Sequence, residues 1–200
     1  MGKGAVDNRR HGDDVQPSAS LRPERHRKGR HAHMGMSVTI SAATEHDVEQ
    51  ILKLQYLCYQ GEAALYGDYS IEPLTQSLDD VRAELGAGCV LVARLGGEVV
   101  GSVRGTVDAD GTASIDKLIV HPRMQRHGLG GRLLAAIEER LAQEWAAKRY
   151  RLLTGHRNEG NLRLYRKYGY APVSREEVSR QLTLVTLEKA ADADSYVTSA

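Results

Sequence analysis

One stretch restricts the fold more than any other. A strand-like run from Ala113 to His121 leads through a glycine-broken loop into a long amphipathic segment, Gly128 to about Lys148, and then into a second strand-like run, Arg149 to Thr154. Two strands separated by a helix of that length pair in parallel, through a right-handed crossover. The flanking runs have hairpin spacing instead: Cys89 to Arg94 and Glu98 to Val107 bracket Gly96-Gly97, a tight-turn signal. Tyr170 to Val173 and Gln181 to Glu188 close the chain as two further strands, and Val38-Thr39-Ile40 opens it as one. The sequence therefore predicts a mixed α/β (α+β) fold, a mostly antiparallel sheet with one central parallel β-α-β crossover and flanking helices. That mixture disfavours a doubly wound dinucleotide fold.

Helices are predicted where apolar residues recur at helical spacing. Thr44 with Asp47 at the third position reads as an N-cap, and Val48, Ile51, Leu52 and Cys58 follow on one face. Ser77 caps a short helix through Leu85. Leu133, Leu134, Ile137, Leu141 and Trp145 form the apolar face of the crossover helix, and Glu159 to Tyr168 is a last helix ended by Gly169. Residues 60–76 are aromatic, acidic and broken by glycine, and read as a loop.

Charge divides the chain unevenly. Residues 1–36 hold eight Lys or Arg against four Asp or Glu, whereas the remaining 164 hold 19 against 22. The first 36 residues have few aliphatics and no aromatic residue, too little apolar surface to offset the entropy of ordering them, so they are expected to be a disordered basic extension. Met34 and Met36 lie just before the first strand, which is where a shorter chain would begin. The organisation expected is thus residues 1–36 as an extension, 37–189 as one folded domain, and 190–200 as a flexible tail. A net charge of +1 argues against a surface built for duplex nucleic acid. The basic stretch Arg22 to His33 could still meet a polyanion, although single-strand readers interleave aromatic residues and it has none. No apolar run approaches the ~18–20 residues of a membrane span, and no apolar segment follows the first charges as in a secretory signal. Cys58 and Cys89 are too few for a disulfide framework and sit among apolar neighbours, as expected of reduced thiols in a cytoplasmic protein.

The chemistry concentrates between Leu118 and Leu134. A buried strand runs into a loop carrying Arg123 and Arg126, then into a helix that opens Gly128-Leu129-Gly130-Gly131-Arg132. A helix N-terminus offers unpaired N–H groups and positive potential, and glycines let a bulky anion approach the backbone. The loop is not a P-loop, because Gly-Lys-Ser/Thr is missing. It is not the dinucleotide fingerprint either, since Gly131 and Leu133 break the G-x-G-x-x-G spacing.

What remains, Gln125-x-x-Gly128-x-Gly130 after Val120-x-Pro122, resembles the acetyl-CoA motif of the GNAT superfamily of N-acetyltransferases. A second segment, Asn158 to Tyr170, is similar to that family's N-x-x-A-x-x-L-Y-x-K-x-G-F run, with Asn161 at the usual Ala and Tyr170 at the usual Phe. The resemblance spans residues 37–189 and includes the order of strands and helices. It implies acetyl transfer from acetyl-CoA to a primary amine by direct attack in a ternary complex, without a metal. It implies that backbone groups of Leu118, Ile119 and Val120 bond the pantetheine arm in a wedge between the two parallel strands. Gln125, Arg126, His127, Gly128, Leu129, Gly130 and Gly131 would hold the pyrophosphate, and Asn158 would bond the cofactor. Tyr165 stands at the family's general acid, which protonates the departing thiolate. It also lies on an i, i+3, i+4, i+7 face with Asn161, Leu164 and Tyr168, a pattern equally natural for core, just as Asn158 is a natural N-cap.

The amine must lose a proton before it attacks, and a carboxylate usually takes it. The strand after the long helix offers no acid, so Asp116 on the preceding strand is the first choice, although simple alternation groups it with Leu118 and Val120. For the acceptor, the family resemblance points to the first-helix loop and the final hairpin. Tyr59, Glu62, Tyr66 and Tyr69, with Asp68 and Glu72 nearby and Glu176 and Glu177 opposite, would suit a cationic amine by ion pairing and cation–π contact, and would equally suit an ordinary solvated loop. The competing reading is a non-catalytic CoA-binding or interaction protein with a polyanion-binding tail. Either leaves a homodimer open.

Overall fold

The computed structural model describes residues 37–192; the basic extension and most of the C-terminal tail lie outside them. The elements run β1 (Val38–Ala42), α1 (Val48–Tyr66), α2 (Glu72–Thr75), α3 (Leu78–Ala87), β2 (Cys89–Leu95), β3 (Glu98–Val107), β4 (Thr112–Val120), α4 (Leu129–Trp145), β5 (Arg149–Gly155), α5 (Glu159–Lys167), β6 (Ala171–Glu177) and β7 (Thr183–Ala190). The strands form one seven-stranded sheet ordered β1-β2-β3-β4-β5-β7-β6. Every neighbouring pair is antiparallel except β4 and β5, so the crossover through α4 lies where the hydrophobic periods place it.

Alternation in β2 distributes the core between the two faces of the sheet. Cys89, Leu91 and Ala93 pack with Leu133, Leu134, Ile137 and Leu141 of α4. Val90 and Val92 point the other way, into a cluster with Val48, Ile51 and Leu54 of α1 and Val81 of α3. Trp145 does not join the first cluster. It is 42% exposed, because Ala146 turns into the left-handed region directly after it and ends the helix.

Two local expectations change. The segment after residue 60 is helical as far as Tyr66, carried through Gly61 by buried Ala63 and Tyr66, and ends at Gly67 with φ +67°. A further short helix, α2, follows in what reads as loop, with Pro73 in its first turn. The N-terminal caps match the sequence reading: Thr44 pairs with Asp47, and the Ser77 hydroxyl accepts from the Asp80 N–H at 3.2 Å. Asp47 is buried and receives both guanidinium nitrogens of Arg94, at 2.5 and 2.6 Å.

Candidate active site

The parallel ladder between β4 and β5 consists of Thr112↔Arg149, Ala113↔Tyr150 and Ser114↔Arg151. Past Ser114 the two strands part, and each continues with one backbone edge unpaired toward the other. A cavity of about 950 Å³ opens there. Its walls are β4 from Ser114 to Val120, the α1 side chains Cys58, Tyr59 and Glu62, the β5 residues Leu153 and Thr154, the start of α5, and the loop into α4.

A bulge in β4 sets which side chains face α1. Ser102 of β3 pairs with Ile119 and Arg104 with Asp116, so Val103 faces two residues, Lys117 and Leu118, and Lys117 has φ +46°. The extra residue shifts the alternation by one. Asp116 therefore shares a side with Ile119, which packs in the α1 cluster, and not with Leu118 and Val120, which pack toward α4.

At the other end of the cavity, the loop residues Gln125 and Arg126 lead into α4, whose N-cap is Gly128 at φ +77°. A side chain at Gly128 would meet nothing within 4 Å, so the loop there is open to an occupant. The first backward bond of α4 runs from the Arg132 N–H to the Gly128 carbonyl at 3.1 Å, which leaves the N–H groups of Leu129, Gly130 and Gly131 without intrahelical acceptors. No side chain caps this end. Gly131 has a second reason to be glycine: a Cβ there would fall 1.8 Å from the Tyr168 hydroxyl, so α4 and α5 touch at this point. The Gln125 side chain anchors the loop by donating to the Val120 carbonyl at 3.0 Å. That carbonyl also takes the Cys58 thiol at 3.5 Å, and burial pushes the thiol up to about 11. His127 is not among the cavity walls; its ring lies 2.8 Å from the Gln125 carbonyl.

Helix α5 carries Tyr165 into the cavity. Asn158 caps the helix by accepting from the Asn161 N–H at 3.1 Å, and it also lines the cavity. Tyr165 is 4% exposed, and its hydroxyl makes no hydrogen bond with a described residue. Burial raises its phenol above the ordinary range, with Glu62 adding to the effect.

Glu62 and Asp116 face the same cavity, and neither has a hydrogen bond or ion pair among the described residues. Glu62 is half-exposed and Asp116 exposed, and partial desolvation by the cavity walls raises the carboxyl pKa of each; for Asp116, Lys117 and Arg104 pull the other way. Tyr59 lies within electrostatic reach of both carboxylates and of Tyr165, and its phenol is raised well above normal, mainly by burial. Of the other acceptor-pocket candidates, Tyr66 and Tyr69 do not line the cavity. Tyr66 is buried beside the β5–α5 turn, where its hydroxyl accepts the Arg157 N–H at 3.1 Å, and Tyr69 is 59% exposed. Glu176 and Glu177 lie on the exposed strand β6, away from the cavity walls.

The sequence reading missed a polar network behind this cavity. Buried Arg104 donates to Gln55 at 2.7 Å and to Gln76 at 3.2 Å, and forms an ion pair with Glu84. Lys117 reaches Glu84 at 2.6 Å and Glu72 at 2.9 Å. These contacts join α1, α2 and α3 to β3 and β4. An arginine in the apolar run Val99 to Val107 was the available signal, since a charge inside a central strand needs partners. Among the described residues no cluster of His, Cys, Asp or Glu is placed to hold a metal ion, and no helix is long and apolar enough to cross a membrane.

A wedge between two parallel strands, closed at one end by an uncapped helix N-terminus and at the other by a buried tyrosine, defines a site for an elongated ligand with an anionic end. The chain belongs to the acetyltransferase (GNAT) family, whose model matches residues 48–170. Solved structures share the fold. A GNAT-family acetyltransferase from Streptococcus pneumoniae superposes with a TM-score of 0.65 at 17% identity, covering 78% of this chain and all of its own. The yncA protein of Salmonella typhimurium, solved with its cofactor acetyl-CoA, has a TM-score of 0.63 at 21% identity over 78% of this chain and 95% of that one. PaiA N-acetyltransferase from Thermoplasma acidophilum, solved with coenzyme A, gives 0.64 at 19% identity over 78% of this chain and 99% of its own. No curated protein sequence matches the chain significantly.

Proposed function

We propose that this protein transfers the acetyl group of acetyl-CoA to a primary amine of a small molecule or peptide, by direct attack in a ternary complex. The observation that carries the reading is Tyr165: a buried phenol whose hydroxyl has no protein partner and stands in the cavity. The ring is packed while the hydroxyl stays accessible from the cavity, where a ligand can meet it.

The residues present fit acetyl-CoA. The free N–H groups at the start of α4, the open Gly128 position and Arg126 suit a pyrophosphate. The unpaired edge of β4 from Leu118 to Val120 offers backbone groups to the amide-bearing arm, although the Val120 carbonyl is already shared by Gln125 and Cys58. Asn158 spends its side-chain oxygen on the helix cap, so its amide nitrogen is the part left for the ligand. When bound, acetyl-CoA supplies an activated thioester.

The chain's own residues handle the protons. Asp116 takes the proton that the ammonium form of the acceptor must lose, from a position on the cavity wall where its carboxylate has no hydrogen bond or ion pair among the described residues. The amine nitrogen forms the new C–N bond as the C–S bond breaks, and the nitrogen releases its second proton to solvent as the neutral amide forms. Tyr165 delivers its proton to the departing sulfur and recovers one from solvent.

The test is a panel of amines incubated with acetyl-CoA, scored for release of free thiol, with the Tyr165→Phe variant alongside. Loss of the hydroxyl is expected to lower kcat by roughly 10²–10⁴-fold, the range of a positioned general acid, with acetyl-CoA affinity retained. Turnover at the parent rate across pH would reassign Tyr165 to the core.

A further inference from the structure

Asn161 stands where the otherwise similar run of the family has Ala, so it brings an amide to a wall that a methyl group would line. It lies in the first turn of α5, on the same face as Tyr165 one turn later, and both line the cavity. Its neighbours hold it in place. The Asn161 N–H donates to the Asn158 side chain at 3.1 Å, and the amide nitrogen of its own side chain donates to the Thr154 hydroxyl at 3.4 Å. Thr154 is buried near the end of β5, so this contact ties the amide to the sheet. The side-chain oxygen is left over. It has no hydrogen bond among the described residues, and it is not sealed off from the cavity that Asn161 lines.

Across the wedge, β4 is short of an acceptor. The His121 N–H reaches the Val100 carbonyl of β3, so by alternation the Val120 N–H and C=O point away from β3, into the wedge. The Val120 carbonyl already has both lone pairs engaged, by the Gln125 side chain at 3.0 Å and the Cys58 thiol at 3.5 Å. A pantetheine arm carries two amide N–H groups, and a desolvated N–H without an acceptor costs binding. We propose that the Asn161 side-chain oxygen accepts a hydrogen bond from one amide N–H of the pantetheine arm, supplying the acceptor that Val120 does not. This deepens the acetyl-CoA reading and rests on it. The Thr154 contact fixes the side chain before the ligand arrives, which lowers the ordering cost of the bond. The arm does not react, so the contact is the same in the ground and transition states and acts on binding alone.

The experiment is calorimetric titration of CoA into the parent protein and into Asn161→Ala. It is repeated with two CoA analogues in which one or the other pantetheine amide is an ester, with oxygen in place of the N–H. Asn161→Ala is expected to weaken CoA binding by roughly 3–10-fold, the range of one net hydrogen bond. In turnover it should raise KM for acetyl-CoA and leave kcat unchanged. Ester replacement at the bonded amide should cost the parent at least the same factor and cost Asn161→Ala markedly less, a coupling that an asparagine with a merely structural role would not produce. Equal Kd for parent and variant, or equal losses in both proteins with each analogue, would overturn the proposal. The parent alone keeps it testable should the variant fold poorly, because equal binding of CoA and both esters would overturn it too. A parent that takes up no CoA removes the acetyl-CoA reading and this inference together. CoA binding and thiol release without coupling at Asn161 remove this inference alone.

Discussion

The Tyr66 hydroxyl fills the space that any side chain on Gly155 would need: a Cβ there would lie 2.0 Å from its oxygen. The ring comes from the last turn of α1 and the glycine from the end of β5, where the turn that starts α5 begins. Because the same hydroxyl accepts the Arg157 N–H at 3.1 Å, Tyr66 sets where Asn158 and then Tyr165 enter the cavity. Gly155→Ala is expected to cost about 1–3 kcal/mol by overpacking and to lower turnover with it. In a Tyr66→Leu background the same substitution should cost markedly less, and equal costs in both backgrounds by thermal melts would mean the two residues are uncoupled.

Gly128 and Gly131 should separate binding from packing. Gly128→Glu has room, at a strain cost of roughly 1–2 kcal/mol for its left-handed backbone, but places a carboxylate at the anion end of the wedge. It should fold and show no thermal shift with acetyl-CoA, where the parent is stabilised by mass action. Gly131→Ala should melt earlier, because its methyl group meets Tyr168. A full acetyl-CoA shift in Gly128→Glu would remove the pyrophosphate assignment.

The raised carboxyl of Glu62 has a stability consequence. A carboxyl whose pKa is higher in the folded state favours folding while protonated, and that contribution is lost as pH rises from the unfolded value through the folded one. Glu62→Gln should therefore raise the melting temperature of the unliganded protein near neutral pH, with the gain shrinking in acid. A lower Tm at neutral pH would mean that Glu62 has a stabilising partner.

Asp47 has the opposite sign. The Arg94 guanidinium, followed by the Thr44 contacts, holds its carboxyl below the usual range, so its contribution is present above the unfolded carboxyl pKa and is lost as pH falls through the lower folded value. Asp47→Asn should cost about 2–4 kcal/mol at neutral pH, since it leaves Arg94 without its buried counter-charge. Denaturant melts at successively lower pH should show parent and variant converging. A difference independent of pH would assign the loss to shape rather than charge.

Asp116→Asn should slow the reaction most below the pKa of the acceptor amine, where a proton has to be removed, and least above it. A uniform loss across a pH–rate profile would make Asp116 a binding residue only.

The periodic parts of this fold were legible, and the site was legible where it depends on local chemistry. Leu133, Leu134, Ile137 and Leu141 announce α4 by spacing alone, and the glycines ahead of them announce an uncapped helix start. What failed was geometry written by a residue type that does not advertise it. The β4 bulge centres on Lys117, which adopts φ +46° without being glycine, so simple alternation groups Asp116 with the wrong neighbours. Gly61 sent the opposite false signal, since burial of Ala63 and Tyr66 carries α1 through it. In sequence Tyr66 resembles an acceptor contact because an aromatic near acidic residues looks the same whether it faces a ligand or a neighbouring glycine.

The short ladder between β4 and β5 also divides the molecule mechanically. With only Thr112, Ala113 and Ser114 paired across it, the sheet is two antiparallel stacks, β1 to β4 and β5 to β7, joined by one brief seam and by α4. Backbone amides bordering the open stretch have solvent where a central strand would have a partner, so the middle of the sheet should exchange hydrogen faster than strands nearer its margin, the reverse of the usual gradient. Whatever fills the wedge completes the seam, and the protein gains in its interior the rigidity that other sheets acquire when they fold.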